Sequence, residues 1–250
     1  MKKIILISIL LTLAISCKEP QPQVIQEHNQ QKQKAEQMKQ SKPIWPPAPD
    51  QSKPLAVAND PLVKNYLVVF DGSGSMNDDA CGSNERKIDV AKKALNVFAD
   101  SVPTDANLGL IHFEPIQLLV PLGTGNRQQF KEQVAQINPS GGTPIGDSME
   151  VAYKSLTEQA QKQLGYGEFY LVMVTDGENT VGPDPRQMVD FITQNTPIVI
   201  YTIGFCIGNS HSLNRTGITT YREANNPEQL AKAFEGVLAE APDFSTLTFE

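Results

Sequence analysis

Three short runs in this sequence are almost wholly apolar, and the first two stop abruptly at a polar loop. They are YLVVF at 66–70, ahead of Asp71, FYLVMV at 169–174, ahead of Thr175 and Asp176, and IVIYTI at 198–203. Runs of five or six apolar residues with no polar alternation mark strands of a sheet covered on both faces. Helical spacing fills the intervals. In Arg86–Val102 the residues Ile88, Ala91, Leu95, Phe98 and Val102 build one apolar face. Gln128–Ile137 and Pro144–Gln161 read as two more helices, the second with Ile145, Met149, Ala152 and Leu156 along one side. Leu108–Phe113 and Ile116–Leu122 read as strands, near enough across Pro115 to pair as a hairpin. Two helix starts are signposted by a capping side chain, Pro at the first position and Gln behind it: Asp184-Pro185-Arg186-Gln187 and Asn226-Pro227-Glu228-Gln229. Thr219–Glu223 is expected to be a last short strand, and Asp243–Glu250 is a candidate edge strand. The alternation predicts an α/β fold: a doubly wound, mostly parallel sheet with helices on both faces, built as one domain over residues 61–250.

The first 60 residues differ in kind. Lys2 and Lys3 precede an apolar stretch from Ile4 to Ile15, too short to span a membrane as a helix. Ala14, Ile15 and Ser16 then lead into Cys17, which resembles a bacterial lipoprotein signal. The resemblance implies a signal peptide over 1–16 and lipidation at Cys17, so that the mature chain is anchored to a membrane without crossing it. An ordinary secretory signal cut nearby is the alternative, and either one implies export. The expected location is the cell envelope, at the outer membrane or periplasm in a Gram-negative cell; Lys18 stands where an aspartate is associated with inner-membrane retention in enteric bacteria. Residues 18–60 hold nine Gln and seven Pro with few aliphatics, too little apolar surface to offset chain entropy. Residues 17–60 are read as a disordered tether, on the order of 35–40 Å end to end. Val24–Lys42 is a candidate polar helix within it, and Trp45 is read as a lone exposed aromatic.

Charge narrows the partners. The chain carries 21 basic and 28 acidic residues, net −7. Residues 61–250 alone carry 13 basic and 23 acidic residues, net −10. That balance argues against nucleic acid, which needs a clustered basic face. The three cysteines are too few for the disulfide framework of a small stapled fold.

Ligands of open α/β sheets sit beyond the carboxyl ends of the strands. Three polar clusters fall at such positions or at a helix start: Asp71-Gly72-Ser73-Gly74-Ser75, Gly141-Gly142-Thr143-Pro144 and Thr175-Asp176-Gly177-Glu178. Two carboxylates and three hydroxyls make an all-oxygen set, suited to Mg²⁺, Mn²⁺ or Ca²⁺ and not to zinc. The D-x-S-x-S spacing aims alternate side chains at one point, with the glycines expected to permit the tight turn. Taken singly, each cluster has a plainer reading. Thr143 ahead of Pro144 makes a good helix cap, Asp176-Gly177 a turn, and the Ser-Gly run a loop. Together, DGSGS, the GGTP threonine and the TDGE aspartate resemble the metal-ion-dependent adhesion site of von Willebrand factor type A domains. All five of its positions are matched, by Asp71, Ser73, Ser75, Thr143 and Asp176, and the likeness covers about residues 62–242. It implies a six-stranded sheet in the order 3-2-1-4-5-6. It implies direct metal binding by Ser73 and Ser75, with Thr143 and the two aspartates binding directly or through water. A protein partner would complete the shell with an acidic residue.

The resemblance also brings the loops holding Cys81 and Cys206 to one end of the sheet, where export favours a disulfide between them. No phosphate-loop lysine follows Gly72–Met76, and no G-x-S-x-G elbow is present. His28 falls in the tether and His112 in a strand, while His211 follows IVIYTI and could approach the site. Asp78, Asp79 and Glu85 read as a solvated acidic loop. The expected function is a non-enzymatic binding module that recognises a protein partner through a divalent cation. The alternatives are a metal-dependent hydrolase drawing a base from Glu178 or His211, and an envelope-assembly scaffold whose metal is purely structural.

Overall fold

The computed structural model describes residues 44–50, 52 and 54–240. Cys17, the Val24–Lys42 segment, His28 and the candidate edge strand at Asp243–Glu250 lie outside them. The described chain forms a sheet of six strands: β1 (Lys64–Phe70), β2 (Asn107–His112), β3 (Gln117–Gly123), β4 (Glu168–Thr175), β5 (Val199–Phe205) and β6 (Thr220–Ala224). Their order is β3-β2-β1-β4-β5-β6. Only β3 runs antiparallel, as the hairpin partner of β2. The α-helices among the described residues are α1 (Lys87–Ser101), α2 (Arg127–Gln136), α3 (Ile145–Lys162), α4 (Pro185–Asn195) and α5 (Pro227–Ala239).

The central pair explains why the apolar runs do not alternate. Tyr66, Val68 and Phe70 of β1 enter one core, with Phe98 of α1, Phe130 of α2 and Phe234 of α5. Leu67 and Val69 enter the opposite core, with Met149 and Leu156 of α3 and Ile192 of α4. β4 divides in the same way, Tyr170, Val172 and Val174 against Phe169, Leu171 and Met173. A strand buried on both sides favours apolar side chains throughout, and the buried Asn65 at the start of β1 is admitted by its hydrogen bonds to Glu168 and Asn107. Both signposted caps form. The Asp184 side chain accepts a hydrogen bond from the Arg186 N–H, and that of Asn226 from the Gln229 N–H.

Two covalent or packing ties reach beyond the elements. Cys81 and Cys206 are joined by a disulfide, with Cα atoms 5.7 Å apart. It fastens the loop between β1 and α1 to the residue that follows β5. Trp45 is not a lone exposed aromatic. Its ring meets Phe169 edge-on at 5.0 Å between centroids, and its Nε1–H donates to Thr157 Oγ1 at 3.1 Å. Gln161 Nε2 donates to the Pro47 carbonyl and Ala58 N–H to the Lys162 carbonyl, so the proline-rich lead lies along α3. Composition hides this, because a segment poor in aliphatics can still be held by one aromatic anchor that buries a large area.

Trp45→Ala removes an aromatic pair and a hydrogen bond, and is expected to cost about 2–4 kcal/mol in urea unfolding. An unchanged midpoint would show that the lead contributes nothing to the domain. Replacing both Cys81 and Cys206 by Ser opens a loop of 125 residues. The expected loss is about 2–5 kcal/mol, read as a lower unfolding midpoint that reductant no longer shifts.

Candidate functional site

The site begins where β1 and β4 end. They are parallel neighbours, with Phe70 opposite Val174, and the Asp71 N–H extends the ladder to the Val174 carbonyl at 2.9 Å. Residues that follow the two strands therefore emerge side by side. The Ser75 hydroxyl donates to Asp176 Oδ1 at 2.7 Å, and Ser73 Oγ lies 3.1 Å from Ser75 Oγ. Asp71 turns back beneath them. It accepts from the Ser73 N–H through Oδ1 at 2.7 Å and from the Thr175 hydroxyl through Oδ2 at 2.6 Å.

The GGTP loop closes the third side. Ser140 N–H donates to the Gly72 carbonyl at 2.8 Å and Gly74 N–H to the Gly141 carbonyl at 3.1 Å. Thr143 and Thr180 are paired twice, Thr143 N–H to Thr180 Oγ1 at 2.8 Å and Thr180 N–H to the Thr143 carbonyl at 3.1 Å. Thr143 does not act as the helix cap that its place before a proline suggests. The residue flanking α3 is Pro144, with no side-chain capping bond. The buried Thr143 hydroxyl instead borders the Asp176-Gly177 turn, 4.0 Å from where a Cβ on Gly177 would stand. Three loops distant in sequence thus hold one another, and all five oxygen-bearing residues border that junction.

At Gly72 closeness matters more than backbone freedom. Neither Gly72 nor Gly74 has positive φ. A Cβ on Gly72 would stand 2.1 Å from His112 Nε2, so the loop lies directly on the buried His112 ring. Burial pushes the His112 imidazole below its usual range, against the opposing pull of Glu114, and favours its neutral form.

His211 also reaches the site. Its buried ring lies 2.9 Å through Nε2 from the Gly177 carbonyl, and Nδ1 accepts from the Leu213 N–H at 3.0 Å. That pair of contacts places the proton on Nε2. Glu178 Oε1 accepts from the Ser212 N–H at 2.8 Å. The two groups a hydrolase would draw on as base are therefore both engaged in holding the loop after β5 against the Asp176 turn.

Two residues of the site were given no role in the sequence reading, although Thr175 opens the third polar cluster. Thr175 orients Asp71. Lys87, the first residue of α1, places Nζ 2.8 Å from Asp176 Oδ2, with side-chain exposures of 14% and 0%. Nζ is also 4.0 Å from Asp78 Oδ2. A lysine at the start of a helix faces the positive end of the macrodipole. That mismatch was the clue available in the sequence once the helix start was known.

The donor set is all oxygen, two buried carboxylates and the hydroxyls of Ser73, Ser75 and Thr143. Among the described residues no group of three or more His, Cys, Asp or Glu is arranged so that it could hold a metal ion by itself. The set therefore fits a hard cation that takes hydroxyls and keeps water in its shell, and not a soft metal held by imidazole and thiolate.

Burial raises the Asp71 carboxyl above its ordinary value, against hydrogen bonds from Ser73 and Thr175 that lower it. The charged form is thus disfavoured in the folded chain. The resulting cost is absent below the unfolded value of about 4 and grows as pH rises through the raised folded value. In metal-free buffer at pH 7, Asp71→Asn is expected to raise Tm, at roughly 2–4 °C per kcal/mol relieved. The gap over wild type should narrow as pH falls towards 4. An Asp71→Asn chain that melts below wild type at pH 7 would refute this account.

The architecture is shared with known proteins. The family model of the von Willebrand factor type A domain matches residues 66–247. The uncharacterized protein YwmD of Bacillus subtilis (strain 168) is 28% identical over 205 residues, 74% of this chain and 89% of that protein. Among solved structures, the vWF domain of the type V pili tip protein Mfa5 from Porphyromonas gingivalis is similar with TM-score 0.55 at 12% identity. That match covers 71% of this chain and 94% of the other. The PilB minor pilin from Streptococcus sanguinis is similar with TM-score 0.52 at 16% identity, over 72% of this chain and 64% of its own. At such identities the likeness is one of fold. With this sheet order and the match over most of its length, the chain belongs to the von Willebrand factor type A domain family.

Proposed function

We propose that this chain is a membrane-anchored extracytoplasmic binding module that recognises a protein partner through a divalent cation, Mg²⁺ or else Mn²⁺ or Ca²⁺. Type A domains commonly mediate protein–protein interaction. The observation that carries the reading is the 2.7 Å contact between Ser75 and Asp176, residues 101 apart in sequence, which joins an exposed hydroxyl to the buried oxygen donors of Asp71, Ser73, Thr143 and Asp176. Ser73 and Ser75 would hold the cation directly, and Thr143, Asp71 and Asp176 directly or through water. When bound, the cation would supply an electrophilic position open to a carboxylate of the partner. Where the two aspartates act through water, the ligands in direct contact would be neutral hydroxyls, which leave the ion's positive charge open to an outside carboxylate.

The chain's own residues prepare that position. Thr175 and the Ser73 amide fix the Asp71 carboxylate, so its oxygens need little rearrangement. The Thr143–Thr180 pair fixes the third loop without using the Thr143 hydroxyl. The anchoring half of the proposal rests on the sequence of residues 1–17, with Cys17 as the lipidated residue and the segment that follows as the tether.

Asp71→Ala and Ser73→Ala are expected to abolish both the Mg²⁺-induced rise in Tm and the capture of a partner from native envelope extracts. Far-UV circular dichroism should remain that of wild type. EDTA should release what wild type captures. Capture that survives EDTA and both substitutions would rule out a metal bridge.

A further inference from the structure

Lys87 is placed where general rules would not put it. An ammonium at a helix N-terminus meets the unfavourable end of the dipole, and this one is largely withdrawn from water. Its backbone is pinned there, because the Lys87 N–H donates to the Asp78 carbonyl at 2.8 Å and the Ala80 N–H to the Glu85 carbonyl at 2.8 Å. The loop so closed contains Cys81, itself joined to Cys206. The ammonium meets Asp176 Oδ2, while Oδ1 of the same carboxylate faces Ser75. One carboxylate thus stands between a fixed cation of the chain and the hydroxyl cluster.

We propose that Lys87 is a resident counter-cation of this centre. It neutralises Asp176 when no divalent ion is present, and a divalent ion binds only in competition with it. The inference rests on the metal-binding reading above. Removing one partner of a buried ion pair leaves the other uncompensated, so without Lys87 the metal-free site would be poorer and the loaded site better. Like charges drawn to one buried carboxylate repel strongly, because water screens them little. Lys87 therefore weakens cation binding and keeps the loops assembled in its absence. The competition is set by charge and not by shape, so Arg should preserve it and Gln should abolish it.

The test is calorimetric titration of MnCl₂ into the full chain after removal of metal with EDTA, for wild type, Lys87→Gln and Lys87→Arg, with melts of each metal-free and at saturating Mn²⁺. Lys87→Gln is expected to bind Mn²⁺ at least ten-fold more tightly. Its Tm should be lower than wild type without metal and recover with it. Lys87→Arg should stay within about three-fold of wild-type affinity. If wild type binds and Lys87→Gln binds equally or less tightly, the counter-cation role is wrong and the metal site stands. If neither chain binds, the metal reading fails and this inference with it. If Lys87→Gln does not fold without metal, refolding in Mn²⁺ supports the proposal and failure to refold overturns it. Lys87→Met provides the same comparison without the amide.

Discussion

The site depends on one ladder. β1 and β4 lie side by side in the middle of the sheet, parallel and in register, and are buried on both faces over nearly their whole length. Neither strand can slip by one residue without turning its two apolar sets inside out. The register therefore fixes which residues leave the sheet together, and those are Asp71 on one strand and Thr175 with Asp176 on the other. Every later contact of the site, from Ser75 to Thr143, is arranged around that pair.

Placing two carboxylates at the end of a dry sheet is costly, and the chain resolves each differently. Asp71 is held by neutral donors, a hydroxyl and an amide, so its charge is solvated by dipoles but not cancelled. Asp176 is met by a full positive charge from Lys87 as well as by the Ser75 hydroxyl. The second arrangement cancels its charge within the chain, whereas the bonds to Asp71, though charge-assisted, come from neutral donors. The first leaves an unbalanced anion facing the hydroxyls. The asymmetry gives the site one committed carboxylate and one available one.

What was legible in the sequence follows from which interactions are local. The buried strands were readable because burial on both faces favours apolar side chains throughout. The caps at Asp184 and Asn226 were readable because they act within three residues. Asp71, Ser73, Ser75, Thr143 and Asp176 stood out as a resemblance, and the fold brings their three loops together. Lys87 escaped because its partner lies 89 residues away, and its misfit to the helix start shows only once that start is known. Trp45 escaped because its neighbours, Thr157 and Phe169, come from a helix and strand more than a hundred residues on. The glycines of the first loop were recognised, but at Gly72 the need is room and not a special turn conformation. Space against His112 matters there, and that depends on a strand whose place in the sheet no local pattern reveals.

The Trp45 clasp gives the molecule a polarity. Phe169, beneath it, lies near the start of β4, and Asp176 just past the end of the same strand, roughly 20 Å further on at about 3.3 Å per residue. The proline-rich lead and the oxygen cluster are thus at opposite poles. A pull between the two would run lengthwise through β1, whose bonds to β2 and β4 lie across the line of force. Those bonds would share the load in shear and would not unzip one after another, so the domain resists a pull best along the line from the proline-rich lead to the oxygen cluster.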